Sequence, residues 1–203
     1  SVQFYSSNDQ SVVFETAVIE TPSEKEPYVA DSKMPKTFQA AIYTQEETTK
    51  GNFYKKLWGE RYRDDYSKPI TANTVNLDTL FGGLKPVRKG GGNQSNSLRL
   101  QAKDGREYVM RALRKSATRY IQAMAFKEEF VGDEFEDTST EALVLDVFTG
   151  AHPYAPFVVA ELSDAISVLH TNPVIYYVPK QAALQPYNDE FGDALYMIEE
   201  HAG

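Results

Sequence analysis

A run of three glycines is the part of this sequence best suited to chemistry. The three are Gly90, Gly91 and Gly92, and a segment of alternating polar and apolar residues begins shortly after them, at Ser97. Backbone N–H groups of glycines can approach a phosphate closely because no Cβ stands in the way. The Ser95 hydroxyl would add a donor, so the stretch is a candidate phosphate-binding loop. The alternative is a flexible surface turn, because turns use glycine constantly.

One cation follows this loop within a predicted strand. Arg111 interrupts the otherwise apolar run YVMRAL. An arginine suits a bidentate contact with phosphate or an ion pair with a carboxylate, although it is not equivalent to lysine. We expect Glu161 to be the carboxylate, with Glu141 as the second choice. The alternative is that the Arg111 side chain simply faces solvent.

Other kinds of active site find little support in the sequence. The chain has no cysteine, which excludes disulfides, thiolate zinc sites and a cysteine nucleophile. The three histidines are scattered without a second metal ligand at a suitable spacing. The acidic segment 128–137 lacks the alternating oxygen ligands of an EF-hand, so a solvated surface is the better interpretation. No Gly-x-Ser-x-Gly motif indicates a hydrolase.

Composition and charge narrow the class of protein. The 203 residues include 41% hydrophobic and 25% charged ones, the balance of an ordinary globular protein. The net charge of −8 argues against a nucleic-acid partner, because that backbone is itself anionic. No apolar run approaches the roughly 20 residues that a membrane-spanning helix needs. We therefore expect no transmembrane segment.

The elements that must position these residues alternate between strands and helices. A hairpin is predicted from Ser97–Gln101 and Glu107–Leu113, because Asp104-Gly105 is a strong turn signal. Further strands are predicted at 11–19, 37–44, 70–80, 173–179 and 195–198, and helices at 51–58, 116–130, 140–148 and 157–169. The last helix carries an apolar stripe, Leu162, Ala165, Ile166 and Leu169, at helical spacing. The pattern predicts an α+β fold with a twisted antiparallel sheet and flanking helices. We divide it into a β-rich N-terminal segment, 1–70, and an α+β domain, 71–203.

Four successive segments together resemble the small lobe of a protein kinase. They are the glycine run, SLRL, the Asp-Gly turn and YVMRAL. The resemblance extends to ELSDAISVLHTNPVIYYV, which is similar to the helix and fourth strand of such a lobe, and to LYMIEEHAG, which is similar to the fifth strand and hinge. It implies that Val109 covers an adenine ring and that Arg111 stands where a lysine is expected. It also implies that Glu161 pairs with this cation, that Ile198 is the gatekeeper and that Glu199 begins the hinge. The contiguous glycines and the long segment between positions 111 and 161 depart from the kinase pattern.

A second resemblance covers nearly the whole chain. The segments WGERYRDDYSKPI, AHPYAPF and NDEFGDALYMIEE are similar to a middle region of large exported Bacteroidetes proteins labelled metallophosphoesterases. Those proteins carry a calcineurin-like phosphoesterase domain upstream and a kinase-type catalytic loop downstream. The sequence contains neither set of catalytic motifs, so the resemblance implies a non-catalytic part of a larger exported, periplasmic or cell-surface protein.

The resemblances imply a kinase-like small lobe that contributes to binding a nucleotide or another phosphate ligand. Its partners would be the rest of its own polypeptide, namely a downstream large lobe and the upstream phosphoesterase domain. No cofactor is expected in these residues alone, whereas ATP and Mg²⁺ are candidates for the full-length protein. The main alternative is a structural module that links the phosphoesterase to membrane-anchoring parts. An intrinsic phosphoesterase is a third interpretation, and it depends only on the family label.

Overall fold

The structure is a computed structural model that describes residues 34–90, 94–125 and 138–201. The strand predicted at 11–19, the acidic segment and two of the three glycines, Gly91 and Gly92, lie outside the described residues. The end of the helix predicted at 116–130 lies outside them as well. The described ranges contain the hairpin and the remaining predicted elements.

Within the described residues, seven strands form one mixed sheet. They are β1 (Thr37–Ala40), β2 (Ile70–Thr74), β3 (Leu84–Lys89), β4 (Ser95–Ala102), β5 (Glu107–Lys115), β6 (Val174–Val178) and β7 (Ala194–Glu200). Their spatial order is β1-β2-β6-β7-β5-β4-β3. All neighbouring pairs are antiparallel except β2 and β6, which are parallel. The strand predicted at 37–44 is shorter than expected, because Ile42 and Tyr43 turn away to donate backbone hydrogen bonds to the carbonyl of Tyr66.

Seven helices in the described part of the chain flank the sheet, and the fold is therefore α+β, as predicted. They are α1 (Gln45–Thr48), α2 (Asn52–Trp58), α3 (Arg63–Ser67), α4 (Ala117–Ala125), α5 (Ser139–Phe148), α6 (Ala155–Ala165) and α7 (Asn188–Phe191). The described ranges also include 3-10 segments at Leu80–Gly82 and Ala182–Tyr187. The division of the chain at residue 70 stays a prediction, although β1 and β2 pair within the same sheet.

The predicted hairpin is confirmed. Strands β4 and β5 pair antiparallel, with Ser97 opposite Arg111. At the turn, Gly105 has φ +90°, a conformation that side-chain-bearing residues rarely adopt. The carboxylate of Asp104 accepts a hydrogen bond from the backbone N–H of Arg106, 3.1 Å away, which fixes the turn. The Asp-Gly signal therefore predicted the pairing, but the loop has three residues, 103–105, instead of two, because the N–H of Ala102 donates to the carbonyl of Arg106.

Two apolar clusters cover opposite faces of the sheet, because side chains alternate along each strand. Met110 and Ile198 belong to the cluster that packs against Phe191, and we call their side of the sheet the α7 face. Leu113 and Met197 belong to the other cluster, which packs against α3, α5 and α6, and we call their side the α6 face. Residues of β5 with odd numbers thus share the α6 face.

The two edges of the sheet are short or irregular. At one edge, β1 has only four residues. At the other, β3 contains Pro86, and the pairing of β3 with β4 shifts register between Pro86 and Arg88. The exposed side chains of this strand include Lys85, Arg88 and Lys89.

The amphipathic helix predicted at 157–169 is shorter and oriented differently from the expectation. It ends at Ala165, and Ser167 follows with φ +56°. The helix packs through Ala160, which is buried, and through Phe157, which contacts the cluster on the α6 face. The predicted stripe is exposed, with Leu162 at 61% and Leu169 at 98% exposure. The apolar periodicity of this segment was real, but it does not mark the side that faces the core.

A buried ion pair joins α3 to the end of α5. The guanidinium of Arg63 donates to both carboxylate oxygens of Asp146, at 2.6 and 3.0 Å, and both side chains are 2% exposed. A further nitrogen of Arg63 donates to the carbonyls of Gly59 and Glu60. The hydroxyl of Tyr54 donates to Asp146 at 3.0 Å. The charged and aromatic segment WGERYR therefore has a structural role, because it connects α3 to the end of α5, which is distant in sequence.

Candidate functional site

The glycine loop leaves the sheet at a point of close packing. The N–H of Gly90 donates to the carbonyl of Ser97 at 2.8 Å. A Cβ at position 90 would lie 2.1 Å from the Ser97 hydroxyl oxygen, well inside any real contact distance. A side chain at position 90 would therefore displace the Ser97 hydroxyl, so the packing of the hairpin favours glycine here, whatever the role of the loop in binding.

Arg111 lies in the middle of β5, on the α6 face. Its side chain is exposed, and it makes no ion pair or hydrogen bond with any residue in the described ranges. The predicted ion pair with Glu161 or Glu141 is therefore absent from this part of the chain. Glu161 is instead exposed on α6, which contacts the sheet through other residues.

Lys115 is a second cation on the same face, and sequence reasoning missed it. Burial, followed by the positive charge of Arg111, lowers the pKa of Lys115. No carboxylate pairs with Lys115 within the described residues. Two buried serines lie opposite these cations on β4, Ser97 facing Arg111 and Ser95 facing Lys115. The four-residue spacing along a strand was the available signal, because it places both cations on one face.

We call Arg111 and Lys115 the cation pair. Lys115 lies at the end of β5 that is nearest to the glycine loop, since the carbonyl of Gln94 accepts a hydrogen bond from the N–H of Ser116. Arg111 lies opposite Ser97, whose carbonyl accepts a hydrogen bond from Gly90. Two cations beside serine hydroxyls form a suitable environment for an anion, particularly a phosphate. A cavity of about 550 Å³ adjoins this end of the sheet, and Lys115 is among its lining residues.

The same cavity contains two further cations, both already engaged. Arg114 donates to both carboxylate oxygens of Glu47, at 3.1 and 2.5 Å. Arg119 lies 3.4 Å from a carboxylate oxygen of Glu190. These cations are therefore less available to a ligand than the cation pair is.

The remaining predicted site residues do not come together. Val109 is buried on the α6 face, opposite Glu199 of β7. The carboxylate of Glu199 accepts a 2.6 Å hydrogen bond from the hydroxyl of Thr171. Ile198 is buried on the α7 face, because it pairs with Met110. Alternation along β7 thus separates Ile198 from Arg111, and the residue of β7 that pairs with Arg111 is Met197.

In the described ranges, no group of three or more histidine, aspartate or glutamate side chains is arranged to hold a metal ion. No helix in the same ranges is both long enough and apolar enough to cross a membrane. Comparison with known proteins finds no matching family, curated protein or solved structure.

Proposed function

We propose that this chain is a kinase-like small lobe within a larger exported protein and that it helps to bind a nucleotide or a related phosphate compound. The observation that carries the proposal is the cation pair, Arg111 and Lys115, beside the glycine loop. In a chain with a net charge of −8, two neighbouring cations without carboxylate partners in the described residues favour an anionic ligand. Serine hydroxyls on the facing strand supply further donors.

The topology of the sheet supports the same proposal. The five strands from β3 to β7 are mutually antiparallel, and β7 lies between β5 and β6. A kinase small lobe has this strand order, with its glycine-rich loop between the first two strands and its cation on the third. Helix α6 lies between the third and fourth of these strands in sequence and contacts the α6 face. The topology alone would not establish a function, since one fold hosts many functions.

Catalysis by these residues alone is not expected. Phosphoryl transfer needs carboxylates that hold the metal and a group that positions the nucleophile, acting together with the glycine loop. The kinase and phosphoesterase motifs that would supply them are missing from the sequence. We expect ATP to bind this chain more weakly than about 1 mM, or about −4 kcal/mol, because only part of a site would be present.

Replacing Arg111 by glutamate should weaken binding of pyrophosphate and ATP by about ten-fold or more, because a charge-assisted contact becomes a repulsion. Binding can be measured from NMR chemical shifts during titration to tens of millimolar ligand. Lys85→Glu is a matched control, since Lys85 is an exposed cation at the far end of the edge strand. Equal binding by the two variants would contradict the proposal. Equal binding by the wild type and Arg111→Glu would contradict it as well.

A second function, that of an interaction module, is favoured by the exposed surface of α6. Val158, Val159, Leu162 and Ile166 are each between 55 and 73% exposed. Contiguous exposed apolar side chains of this kind commonly mark a docking surface. The proposed occupant is another part of the same polypeptide, which would cover α6 in the full-length protein.

Hydrogen exchange should test this second function. We expect the backbone amides of 158–169 to exchange more slowly in the full-length protein than in residues 1–203 alone, because a docked segment would protect them. The double variant Leu162→Glu, Ile166→Glu should remove this protection. It should change the stability of residues 1–203 by no more than about 0.5 kcal/mol, since both side chains are already exposed. Equal exchange in the long and short proteins would rule out the docked arrangement.

A further inference from the structure

A separate cavity of about 460 Å³ lies at the opposite end of the sheet from the glycine loop. Its lining includes Tyr108, Ile198 and Val174, which belong to three neighbouring strands. Tyr108 and Ile198 are in the apolar cluster of the α7 face, so the cavity opens on the side of the sheet away from Arg111. Its volume lies within the usual range for small-molecule sites.

Phe81 forms one wall of this cavity in an unusual conformation. Its φ and ψ angles are +50° and +33°, a region that is costly for a bulky side chain. Its ring stacks on Tyr108, with the centroids 4.6 Å apart and the planes 8° from parallel. The side chain nevertheless remains 43% exposed. Strain of this kind persists where the surrounding structure holds a residue in place, and it concentrates at functional sites.

The apolar surface continues across the cavity. Ile198 is 1% exposed and lies on β7, where it pairs with Met110 of β5 and with Val174 of β6, and Tyr108 is its diagonal neighbour on β5. Val174 is 42% exposed. The two outer strands are two strand spacings apart, or about 10 Å. The space between Phe81, which stacks on Tyr108, and Val174 therefore accommodates one flat ring system. A ligand in that position would cover the exposed surface of both Phe81 and Val174.

The polar groups at the rim define what such a ligand would carry. The Asn172 side chain makes no hydrogen bond within the described residues, so its amide has donors and an acceptor to offer. His170 and Glu199 are already engaged, with Asp164 and Thr171 respectively. The cation nearest to the aromatic pair, Arg106, is bonded to Asp104 at 2.8 Å. The rim thus favours an uncharged ligand with hydrogen-bonding groups over an anion.

We propose that this cavity binds a planar, uncharged heteroaromatic ring of purine size, stacked beside Phe81 and hydrogen-bonded by Asn172. The site goes beyond the proposed phosphate-binding function. It lies on the other face of the sheet, so a single nucleotide does not reach both the ring cavity and the cation pair.

Adenosine is the probe that tests this site, because it has a purine ring and no phosphate. We expect adenosine in the millimolar range to shift the NMR signals of Ile198, Val174 and Phe81. Phe81→Ala should weaken binding about five-fold or more, as expected for the loss of an aromatic stack. Phe53→Ala is the matched control, since Phe53 is 81% exposed on α2, outside the cavity. Asn172→Ala should also weaken binding, which keeps the test decisive if Phe81→Ala folds poorly.

The binding of adenosine and of pyrophosphate by the same variants distinguishes this site from the phosphate site. Arg111→Glu should leave adenosine binding unchanged, and Phe81→Ala should leave pyrophosphate binding unchanged. The proposal is overturned if adenosine shifts no signal near Ile198. It is also overturned if Phe81→Ala and Asn172→Ala both bind adenosine like the wild type, or if the shifts cluster around Arg111 instead.

Discussion

Replacing Asp146 by asparagine should lower the free energy of unfolding by about 3 kcal/mol or more. The change leaves the buried guanidinium of Arg63 without its counter-charge, and the cost of keeping that charge away from water remains. The Tyr54 hydroxyl and the two loop carbonyls still contact this network, but they do not neutralise it. Loss of the pair should therefore loosen α3 and the end of α5 together.

Chemical denaturation measures this effect directly. Glu60→Gln is a suitable control, because Glu60 pairs with Lys55 at the surface and is 76% exposed. Such a surface pair contributes about 0–1 kcal/mol, so the control should unfold almost like the wild type. If the Asp146 and Glu60 variants were equally stable, the buried pair would not be an important part of the structure.

The ion pair between Arg63 and Asp146 also predicts how the stability of the protein changes at acid pH. Burial by itself would raise the pKa of Asp146, but the hydrogen bonds from Arg63 and Tyr54 outweigh it, and the pKa is lowered. A carboxyl group with a lowered pKa in the folded state stabilises the protein fully above its unfolded pKa, about 3.9. That stabilisation is lost as the pH falls below about 4 toward the folded pKa. Asp146→Asn should therefore flatten the acid limb of the stability profile.

The second large effect is expected at the glycine loop. Gly90→Ala should destabilise the protein by about 1–3 kcal/mol, the usual cost of forcing an atom into a packed site. The new Cβ would meet the Ser97 hydroxyl oxygen at 2.1 Å and force that buried side chain to move. Gly51→Ala is the comparison, because no atom lies within 4 Å of a Cβ there and its φ is not positive.

A double variant identifies the cause. Ser97→Ala removes the hydroxyl oxygen, so Gly90→Ala should cost less in that background than in the wild type. The rescue should be partial, since the Ser97 Cβ would still lie 3.2 Å from the new atom. Additive effects of the two changes would show that glycine is needed at position 90 for another reason, such as the conformation of the loop itself.

The local features of this fold could be predicted from the sequence, because they depend on nearby residues. The hairpin follows from Asp104-Gly105, whose turn geometry sets the pairing of its strands. The joint between α3 and α5 could not be predicted, since Arg63 and Asp146 are far apart in sequence and no local pattern links them. The α+β class follows from the alternation of elements, whereas the parallel pairing of β2 with β6 depends on how distant segments meet.

The candidate site was predicted only in part. The alternation of side chains along the strands explains why some predicted residues do not lie together. Arg111 was identified as the cation but Lys115 was not, and the register of β5 with β4 shifts between these two residues. Ile198 was assigned to the same site by resemblance. It lies on the opposite face of the sheet, because it is one residue along β7 from Met197, the residue that pairs with Arg111. The stripe on α6 illustrates the same limit, because periodicity marks an apolar side without saying what covers it.

The irregular edge strand β3 has a consequence for how the protein behaves at high concentration. An open strand edge is a template on which another chain can add a strand and start an amyloid-like stack. Pro86 removes one backbone donor from β3, the register shift beside it bends the strand, and its exposed cations repel a second copy. The opposite edge, β1, is only four residues long. Fibril growth from either edge of this sheet is therefore disfavoured even when the molecules are crowded.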